Sequence, residues 1–283
     1  MQRFFTYIES RLGNIYSHNE IKSISRLLLT QLAGLNSVQI YSDKDTKFTD
    51  ETVNELKAAV DRLFKGEPVQ YILGKAEFFG LDFKVRPGVL IPRPETEELV
   101  ELILKDFKNK GNHLKILDIG TGSGCIAVAL AKNLPDAIVS AWDVSPEALQ
   151  IARENAEINQ VKIHFQLQDI RKFELLRPET EKWDIIVSNP PYVCQSEKVE
   201  MEDHVLMHEP HLALFVNNDD PLIFYRIISQ YAAKELKKDG GLYFEINSHL
   251  GEDTRLLIQN YPFGRVELFQ DLSGRDRMIK AIL

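Results

Sequence analysis

Residues 115–124 read Lys-Ile-Leu-Asp-Ile-Gly-Thr-Gly-Ser-Gly, and this stretch is the clearest indication of the fold. Its first half, Lys115–Ile119, is a short apolar run typical of a buried strand. Its second half has glycine at positions 120, 122 and 124, and such spacing lets a backbone turn sharply and approach a ligand closely. A helical pattern starts at Gly124, so we predict that the stretch joins a strand to a helix.

Strands and helices alternate on the carboxyl-terminal side of this turn. The predicted strands are 115–119, 137–144, 162–167, 183–188, 241–247, 265–269 and 277–283, and the predicted helices are 124–133, 146–159, 221–238 and 249–260. This alternation indicates a parallel sheet with helices on both faces. The last two strands have no helix between them, which predicts an antiparallel hairpin. Residues 189–220 are predicted to form a long loop.

The chain before the turn changes character twice. Residues 1–68 have apolar side chains at spacings of three and four, which predicts a helical domain. Residues 69–94 contain two β-like runs, 69–74 and 77–85, which we expect to pair as a hairpin linker. The third predicted domain, residues 95–283, begins with a helix that runs to about Asn109.

Composition narrows the possible functions. The chain has 283 residues with 34 Lys and Arg against 42 Asp and Glu, a formal charge of −8. This acidity argues against a protein that neutralises many phosphates. The chain has two cysteines, Cys125 and Cys194, too few for a disulfide framework, and this low number is typical of proteins in a reducing compartment. The sequence shows neither a signal peptide nor an apolar run long enough to cross a membrane. We expect a cytoplasmic monomer that binds neither membrane nor nucleic acid directly.

Acidic residues follow the next two strands and suggest a nucleoside site. Asp143 can accept hydrogen bonds from ribose hydroxyls, and Asp169 from an adenine amino group, with Ile170 against the ring. The dinucleotide fingerprint places its third glycine one residue later, where Cys125 stands, so a pyrophosphate ligand is less well supported. The pattern suits a nucleoside with an amino-acid tail, but it does not separate S-adenosyl-L-methionine (AdoMet) from a nicotinamide cofactor.

Asn189-Pro190-Pro191-Tyr192 stands at the carboxyl end of the fourth predicted strand, beside the crevice where open parallel sheets bind ligands. The two prolines extend the backbone and remove two donors, which leaves nearby carbonyls as acceptors. The Asn189 side chain offers another acceptor and Tyr192 a flat face. This set suits a planar –NH2 group, whose delocalised lone pair makes its nitrogen a poor nucleophile. Acceptors that take a hydrogen bond from each N–H of this group return electron density to its nitrogen. They also align the nitrogen with the methyl group of a sulfonium.

Four segments together resemble one known family. They are Gly88–Glu97, Asp118–Gly124, Asn189–Tyr192 and Asp271–Arg277, and they resemble the release factor glutamine methyltransferases, the HemK/PrmC family. The resemblance extends over nearly the whole chain. DNA adenine methyltransferases also contain Asn-Pro-Pro-Tyr, so this tetrapeptide alone does not distinguish the two families. The first and last segments narrow the resemblance to the glutamine methyltransferases.

This resemblance implies a Rossmann-like, seven-stranded class I methyltransferase sheet, with AdoMet as cofactor and a helical domain that recognises the substrate. The implied reaction is N5-methylation of the glutamine in the Gly-Gly-Gln tripeptide of peptide chain release factors. By the family pattern, the residues that hold AdoMet are Gly120, Thr121, Gly122, Ser123, Gly124, Asp143, Ile170 and Asn189. The family pattern also implies that Asn189, Pro190, Pro191 and Tyr192 hold the glutamine, with Asn189, Pro190 and Tyr192 catalytic, and that Leu90–Pro94 closes over the methionine end.

Three alternatives remain open. An adenine methyltransferase would need a basic duplex-binding surface, a sister family methylates a glutamine of a ribosomal protein, and a non-catalytic nucleoside-binding module would leave Asn189–Tyr192 unexplained. His204, His208 and His211 lie close together in the sequence, with Glu202, Asp203 and Glu209 nearby. In a helix, His204 and His208 would share a face as metal ligands can, but the resemblance implies a loop without metal there.

Overall fold

The computed structural model describes residues 2–42, 46–107, 113–175, 181–201 and 203–283. The chain divides into two compact units. The first comprises Met1–Lys75 and Glu202–His208, and the second comprises Ala76–Met201 and Glu209–Leu283.

The helices in these ranges are α1 (Gln2–Leu12), α2 (His18–Leu32), α3 (Ser37–Ser42), α4 (Asp50–Phe64), α5 (Val69–Leu73), α6 (Pro94–Phe107), α7 (Cys125–Asn133), α8 (Pro146–Ile158), α9 (Asp203–His208), α10 (His211–Leu214), α11 (Ile223–Glu235) and α12 (Gly251–Gln259). The strands are β1 (Lys75–Phe78), β2 (Leu81–Lys84), β3 (Lys115–Ile119), β4 (Ile138–Asp143), β5 (Ile163–Leu167), β6 (Trp183–Ser188), β7 (Val193–Cys194), β8 (Phe215–Val216), β9 (Leu236–Glu245), β10 (Arg265–Gln270) and β11 (Asp276–Ile282). None of these helices combines the length and the apolar character that a membrane span requires.

The first unit is built on a core of helices, as its apolar period predicts. Ile8, Leu28, Leu29 and Val60 of α1, α2 and α4 are fully buried in this core. The capping box at Ser17 sets the start of α2, because Ser17 accepts from the Glu20 N–H and the Glu20 carboxylate accepts from the Ser17 N–H. The helical character of residues 1–68 therefore follows from amphipathic packing.

The prediction for Val69–Gly74 is wrong, because this run forms α5 and not a strand. Its β-branched residues favour a strand locally, but Val69, Ile72 and Leu73 pack against the helical core, and this burial overrides the weak local preference. Gly74 ends α5 with a φ of 66°. The hairpin instead pairs β1 with β2, and it starts at Lys75, two residues before the second predicted run.

The large sheet has seven strands in the order β10-β11-β9-β6-β3-β4-β5. Strands β9, β6, β3, β4 and β5 are parallel, and β11 lies antiparallel between β9 and β10. The predicted seven-stranded sheet with its antiparallel last strand is thus confirmed. The strand order reverses at β3, so the crevice at the carboxyl ends of β3 and β6 is where this fold binds ligands.

Helices cover both faces of the sheet, as predicted. On one face, Leu99 of α6, Ala127 of α7 and Val139 of β4 belong to one buried apolar cluster. On the other, Ile228 of α11 and Ile258 of α12 belong to a second cluster. Strands β3 and β6 are buried along nearly their whole length, as expected of parallel strands covered by helices on both faces.

Some predicted boundaries differ from the structure. Helix α6 is described as far as Phe107, so the predicted end near Asn109 lies outside the described residues. The predicted loop 189–220 is wrong in detail, since it contains α9, α10 and the short β7–β8 pair. Elements of two to six residues are too short to produce a recognisable period, and this is why the sequence pattern missed them.

Candidate active site

The glycine turn after β3 needs its glycines for backbone reasons. Gly120, Gly122 and Gly124 have φ angles of 74°, 56° and 83°, in the left-handed region that other residues rarely adopt. A Cβ added to Gly124 would lie 3.0 Å from the Cβ of Ala152 in α8. The Gly120 N–H donates to the Trp142 carbonyl at 2.8 Å, which ties the turn to the end of β4.

Asp143 ends β4 and bonds to this turn. One carboxylate oxygen accepts from the Gly122 N–H at 2.9 Å, and the other accepts from the Ser145 N–H at 2.8 Å. Burial raises the pKa of Asp143, and the backbone donors partly oppose that rise. Each oxygen keeps a further lone pair, so the side chain can still accept from two hydroxyl groups of a ligand.

Asp118 lies beneath the same turn with one carboxylate oxygen unsatisfied. Thr121 donates its hydroxyl to Oδ2 of Asp118 at 2.6 Å, whereas Oδ1 has no hydrogen-bond partner within the described ranges. Burial raises the pKa of Asp118 from its ordinary value of 3.8 to about 7. A buried acceptor without a partner is costly, and that cost falls mainly on the ionised form of the carboxyl group.

The segment after β5 brings Asp169 and Ile170 to the same crevice, but Asp169 already has a partner. Its two carboxylate oxygens accept from the guanidinium of Arg171, at 2.8 Å each. This pairing lowers the pKa of Asp169. Ile170 is buried. The predicted adenine contact of Asp169 therefore stays a prediction, with the carboxylate oriented by Arg171.

These parts surround a cavity of about 290 Å³ in the second unit. Predicted site residues that line it are Gly120, Thr121, Gly122, Ser123, Asp143, Asp169, Ile170, Asn189, Pro190 and Pro191, together with Leu90–Arg93. Of the predicted site residues in the described part of the chain, Gly124, Tyr192 and Pro94 at the end of the predicted loop are not part of this lining. Gly124 acts through its close approach to α8, and Tyr192 makes a different contact.

Tyr192 donates its hydroxyl to Oε1 of Glu245, at 3.0 Å. The other oxygen of this buried carboxylate accepts from the Thr96 hydroxyl at 2.6 Å, and Thr96 lies 3.4 Å from the amide nitrogen of Asn189. Burial raises the pKa of Glu245, and it also raises the pKa of the Tyr192 hydroxyl. Four side chains from α6, the end of β6 and β9 therefore form one polar group beside the cavity.

The loop before α6 is held by a second buried carboxylate. Glu209 accepts from the Arg93 guanidinium and, at 3.2 Å, from the Ile91 N–H, and its side chain is fully buried. The backbone of this loop is thereby fixed along the cavity. Its polar contacts satisfy a carboxylate that would otherwise be buried without a partner.

Sequence reasoning missed Thr96, Glu209 and Glu245. For Glu245 a signal existed, because the residue interrupts the apolar run Leu242–Ile246 at the end of a predicted central strand. A charged residue in such a run is costly to bury and is typically retained for its contacts.

The histidine cluster divides between the two units. His204 and His208 belong to α9 in the first unit, and the His211 ring packs edge-on against Phe215 at 5.2 Å in the second. Glu202 lies outside the described residues. Over the residues described, no group of three or more histidine, cysteine or acidic side chains is arranged to hold a metal ion.

The sheet order, the glycine turn and the crevice define a class I methyltransferase. Residues 81–217 match the Methyltransferase small domain family and residues 4–74 match the PrmC N-terminal domain family. Among solved structures, the fold resembles that of the 16S rRNA N2 G1207 methyltransferase of T. Thermophilus in complex with AdoMet and guanosine. The TM-score is 0.53 at 20% identity, covering 74% of this chain and 49% of that one.

Two curated relatives match nearly the full length. The release factor glutamine methyltransferase of Bacteroides thetaiotaomicron is 47% identical over 99% of each chain. That of Flavobacterium psychrophilum is 46% identical over 99% of this chain and 98% of its own. The chain belongs to the release factor glutamine methyltransferase family, and its cofactor is AdoMet.

The residues around the cavity fit this cofactor. AdoMet carries an ammonium group, ribose hydroxyls and an adenine ring. At the cavity, Asp143 keeps free lone pairs that can accept from ribose hydroxyls, and Ile170 offers an apolar surface to the adenine ring. Glycine at positions 120 and 122 lets backbone N–H groups approach a ligand without side chains in between.

Proposed function

We propose that this enzyme methylates the side-chain amide nitrogen, N5, of the glutamine in the Gly-Gly-Gln tripeptide of peptide chain release factors. One observation carries this proposal. The Asn189 amide lies at the cavity beside Pro190 and Pro191, and its nitrogen donates to the hydroxyl of Thr96, which also lines the cavity, at 3.4 Å. An oriented amide next to proline carbonyls suits a planar –NH2 group that must present its nitrogen to a methyl donor.

The cofactor roles proposed here follow the cavity lining. Backbone groups of Gly120–Ser123 approach the methionine end of AdoMet while Gly124 holds the turn against α8, and Asp143 accepts from the ribose hydroxyls. Asp169, Ile170 and Asn189 complete the site around the adenine and the methyl group. The Leu90–Pro94 loop, held by Glu209, closes over the methionine end.

AdoMet supplies an electrophilic methyl group on a sulfonium. The chain's own contribution is to bind and orient the attacking nitrogen. Asn189 Oδ1 and the Pro190 carbonyl each accept a hydrogen bond from one N–H of the glutamine amide. Pro191 and Tyr192 restrict where that amide can lie. Orientation of this kind can supply several kcal/mol of the barrier, about 7–11 at its limit. No strong base is required before attack, because the nitrogen loses its proton readily once it is methylated.

The three parts of the chain have separate roles in this proposal. Residues 1–68 recognise the release factor, residues 69–94 connect the domains, and residues 95–283 carry out the transfer. The enzyme acts as a cytoplasmic monomer without direct contact to nucleic acid or membrane. Its charge of −8 supports a protein substrate over a duplex.

The test is transfer of labelled methyl from AdoMet to purified release factor, to a ribosomal protein fraction and to DNA. We expect label on the release factor, mapped by mass spectrometry to the glutamine of Gly-Gly-Gln. A release factor with that glutamine replaced by alanine is the matched control and should stay unlabelled. Label on DNA alone, or on the ribosomal fraction alone, would contradict the proposal.

A further inference from the structure

Glu245 is a buried carboxylate to which the proposed reaction gives no role. It is 1% exposed, and its two oxygens accept hydrogen bonds from the hydroxyl groups of Thr96 and Tyr192. We propose that Glu245 is a positioning residue that sets the orientation of the Asn189 amide through the Thr96 hydroxyl, and thereby makes the site select glutamine over glutamate. This inference rests on the proposed function.

The direction of the hydrogen bonds follows from counting hydrogens. A carboxylate only accepts, and a threonine hydroxyl has one hydrogen. The Thr96 hydroxyl donates that hydrogen to Oε2 of Glu245, at 2.6 Å. Toward Asn189, the Thr96 oxygen can then only accept a hydrogen bond. The Asn189 amide must therefore turn its NH2 group, and not its oxygen, toward Thr96.

The reversed amide is disfavoured for the same reason. With Asn189 turned over, its Oδ1 would face the oxygen of Thr96 with no hydrogen between them. Two unpaired oxygens in a buried site repel and lose a hydrogen bond. The chain from Glu245 through Thr96 therefore directs the Asn189 oxygen away from Thr96 and leaves it for the ligand.

The surroundings of Glu245 support an anchored carboxylate. Burial raises the pKa of Glu245, and the negative charge of Glu95 adds to that rise. The hydrogen bonds from Thr96 and Tyr192 and the positive charge of Arg277 oppose it and favour the ionised form. Arg277 is itself held by Asp271, at 3.3 Å. Two hydroxyl donors can both be satisfied when Glu245 is ionised, since each carboxylate oxygen then accepts one of them.

This orientation has a consequence for the substrate. An oxygen acceptor at Asn189 pairs with the –NH2 group of glutamine, whereas glutamate in its ionised form has no hydrogen to donate. A site built to pair with a donor rejects the analogue that lacks it, because its own polar group is left unsatisfied. Release of the Asn189 amide should let its NH2 face a carboxylate and weaken this discrimination.

The decisive variant is Thr96→Val, which keeps the side-chain shape and removes the hydroxyl. Thr96→Ser restores the hydroxyl and is the conservative rescue. Tyr225→Phe is the matched control, because its buried hydroxyl donates to the backbone carbonyl of Glu245, at 3.3 Å, and not to its carboxylate. Glu245→Gln and the double variant with Thr96→Val test whether both residues act through one chain.

Two quantities are measured. The first is kcat for methyl transfer to release factor, with the AdoMet Kd alongside it. The second is the ratio of Kd values for release factor with glutamate or glutamine in the tripeptide, taken with S-adenosyl-L-homocysteine bound. We expect Thr96→Val to lower kcat at least tenfold and the Kd ratio at least fivefold, with AdoMet Kd within twofold. Thr96→Ser and Tyr225→Phe should resemble the wild type, and the double variant should be no worse than Thr96→Val.

An unchanged Kd ratio in Thr96→Val would overturn the inference, as would additive losses in the double variant. Parallel loss of AdoMet binding and Tm in Thr96→Val and Glu245→Gln would indicate a merely structural role and would also overturn it. A wild-type enzyme that transfers no methyl group to release factor contradicts the proposed function instead. The Kd ratio does not depend on turnover, so it separates failure of the Glu245 inference from failure of the proposed function.

Discussion

The side-chain amide of Asn155 donates a hydrogen bond to the carbonyl of Ser123, at 2.9 Å, although α8 and the glycine turn are separate in sequence. The same amide donates to the carbonyl of Lys84 at 3.0 Å and accepts from the Lys84 N–H at 2.7 Å. Asn155 is fully buried with its hydrogen-bonding groups used. It therefore joins the β2 end of the hairpin to the turn that lines the cavity.

Replacement of Asn155 by aspartate should destabilise the enzyme and weaken AdoMet binding together. The variant removes two donors and buries a charge opposite two carbonyl oxygens, which we expect to cost about 2–4 kcal/mol of unfolding free energy. The free energy is measured by urea denaturation and the AdoMet Kd by calorimetry. Asn159→Asp makes the same chemical change at the end of α8, where the amide bonds to the carbonyls of Asp82 and Asn155. An equal loss of AdoMet affinity in both variants would contradict a specific role for Asn155.

Replacement of Asp143 by asparagine should weaken AdoMet binding at least tenfold, about 1.4 kcal/mol. Each carboxylate oxygen already accepts from a backbone N–H, so the asparagine NH2 must face either the Gly122 or the Ser145 N–H. Calorimetric titration measures the loss. Asp106→Asn is the control, because its carboxylate bonds to Tyr243 and Lys280 away from the cavity. Retained affinity in Asp143→Asn would exclude Asp143 from the cofactor site.

Replacement of Asn189 by alanine should separate binding from chemistry. We expect the AdoMet Kd to stay within roughly tenfold, about 1.4 kcal/mol, while methyl transfer to release factor falls by at least a hundredfold, roughly 2.7 kcal/mol of transition-state stabilisation. Asn218→Ala makes the same change at an exposed position of the segment that follows, and should transfer methyl at the wild-type rate. Unchanged turnover in Asn189→Ala would mean that the tetrapeptide is structural.

Asp118 should make the ligand-free enzyme less stable as pH rises. Its folded pKa of about 7 lies above the ordinary 3.8. Its stabilising contribution to the folded state is therefore complete below about pH 4 and is lost progressively as the pH rises to about 7. We expect Asp118→Asn to be more stable than the wild type at pH 8 by about 2–4 kcal/mol, with the difference narrowing by roughly half at pH 5. Urea denaturation at both pH values measures it.

The exposed Asp136→Asn serves as the control for that series and should change stability little at either pH. A stability difference between Asp118→Asn and wild type that stays constant from pH 5 to pH 8 would contradict a raised pKa at Asp118.

The predictions that succeeded rest on local patterns. The glycine spacing at 120–124 requires left-handed backbone, and the observed φ angles supply it. The alternation of apolar strands and helices led to the seven-stranded sheet, because period and length are properties of short segments. The prediction for Val69–Gly74 failed since packing against the helical core outweighed the local preference of its residues.

The strand–turn–helix unit, the parallel sheet with its antiparallel end and the Asn189–Tyr192 tetrapeptide could all be recognised in the chain itself, because neighbouring residues carry the information. The hydrogen bond from Thr96 to Glu245 joins residues 149 positions apart, and that from Lys84 to Asn155 joins residues 71 apart. No local period encodes such pairs. They arise when the closing sheet buries a carboxylate or an amide, and burial forces each polar group to find its partner wherever the fold has placed one.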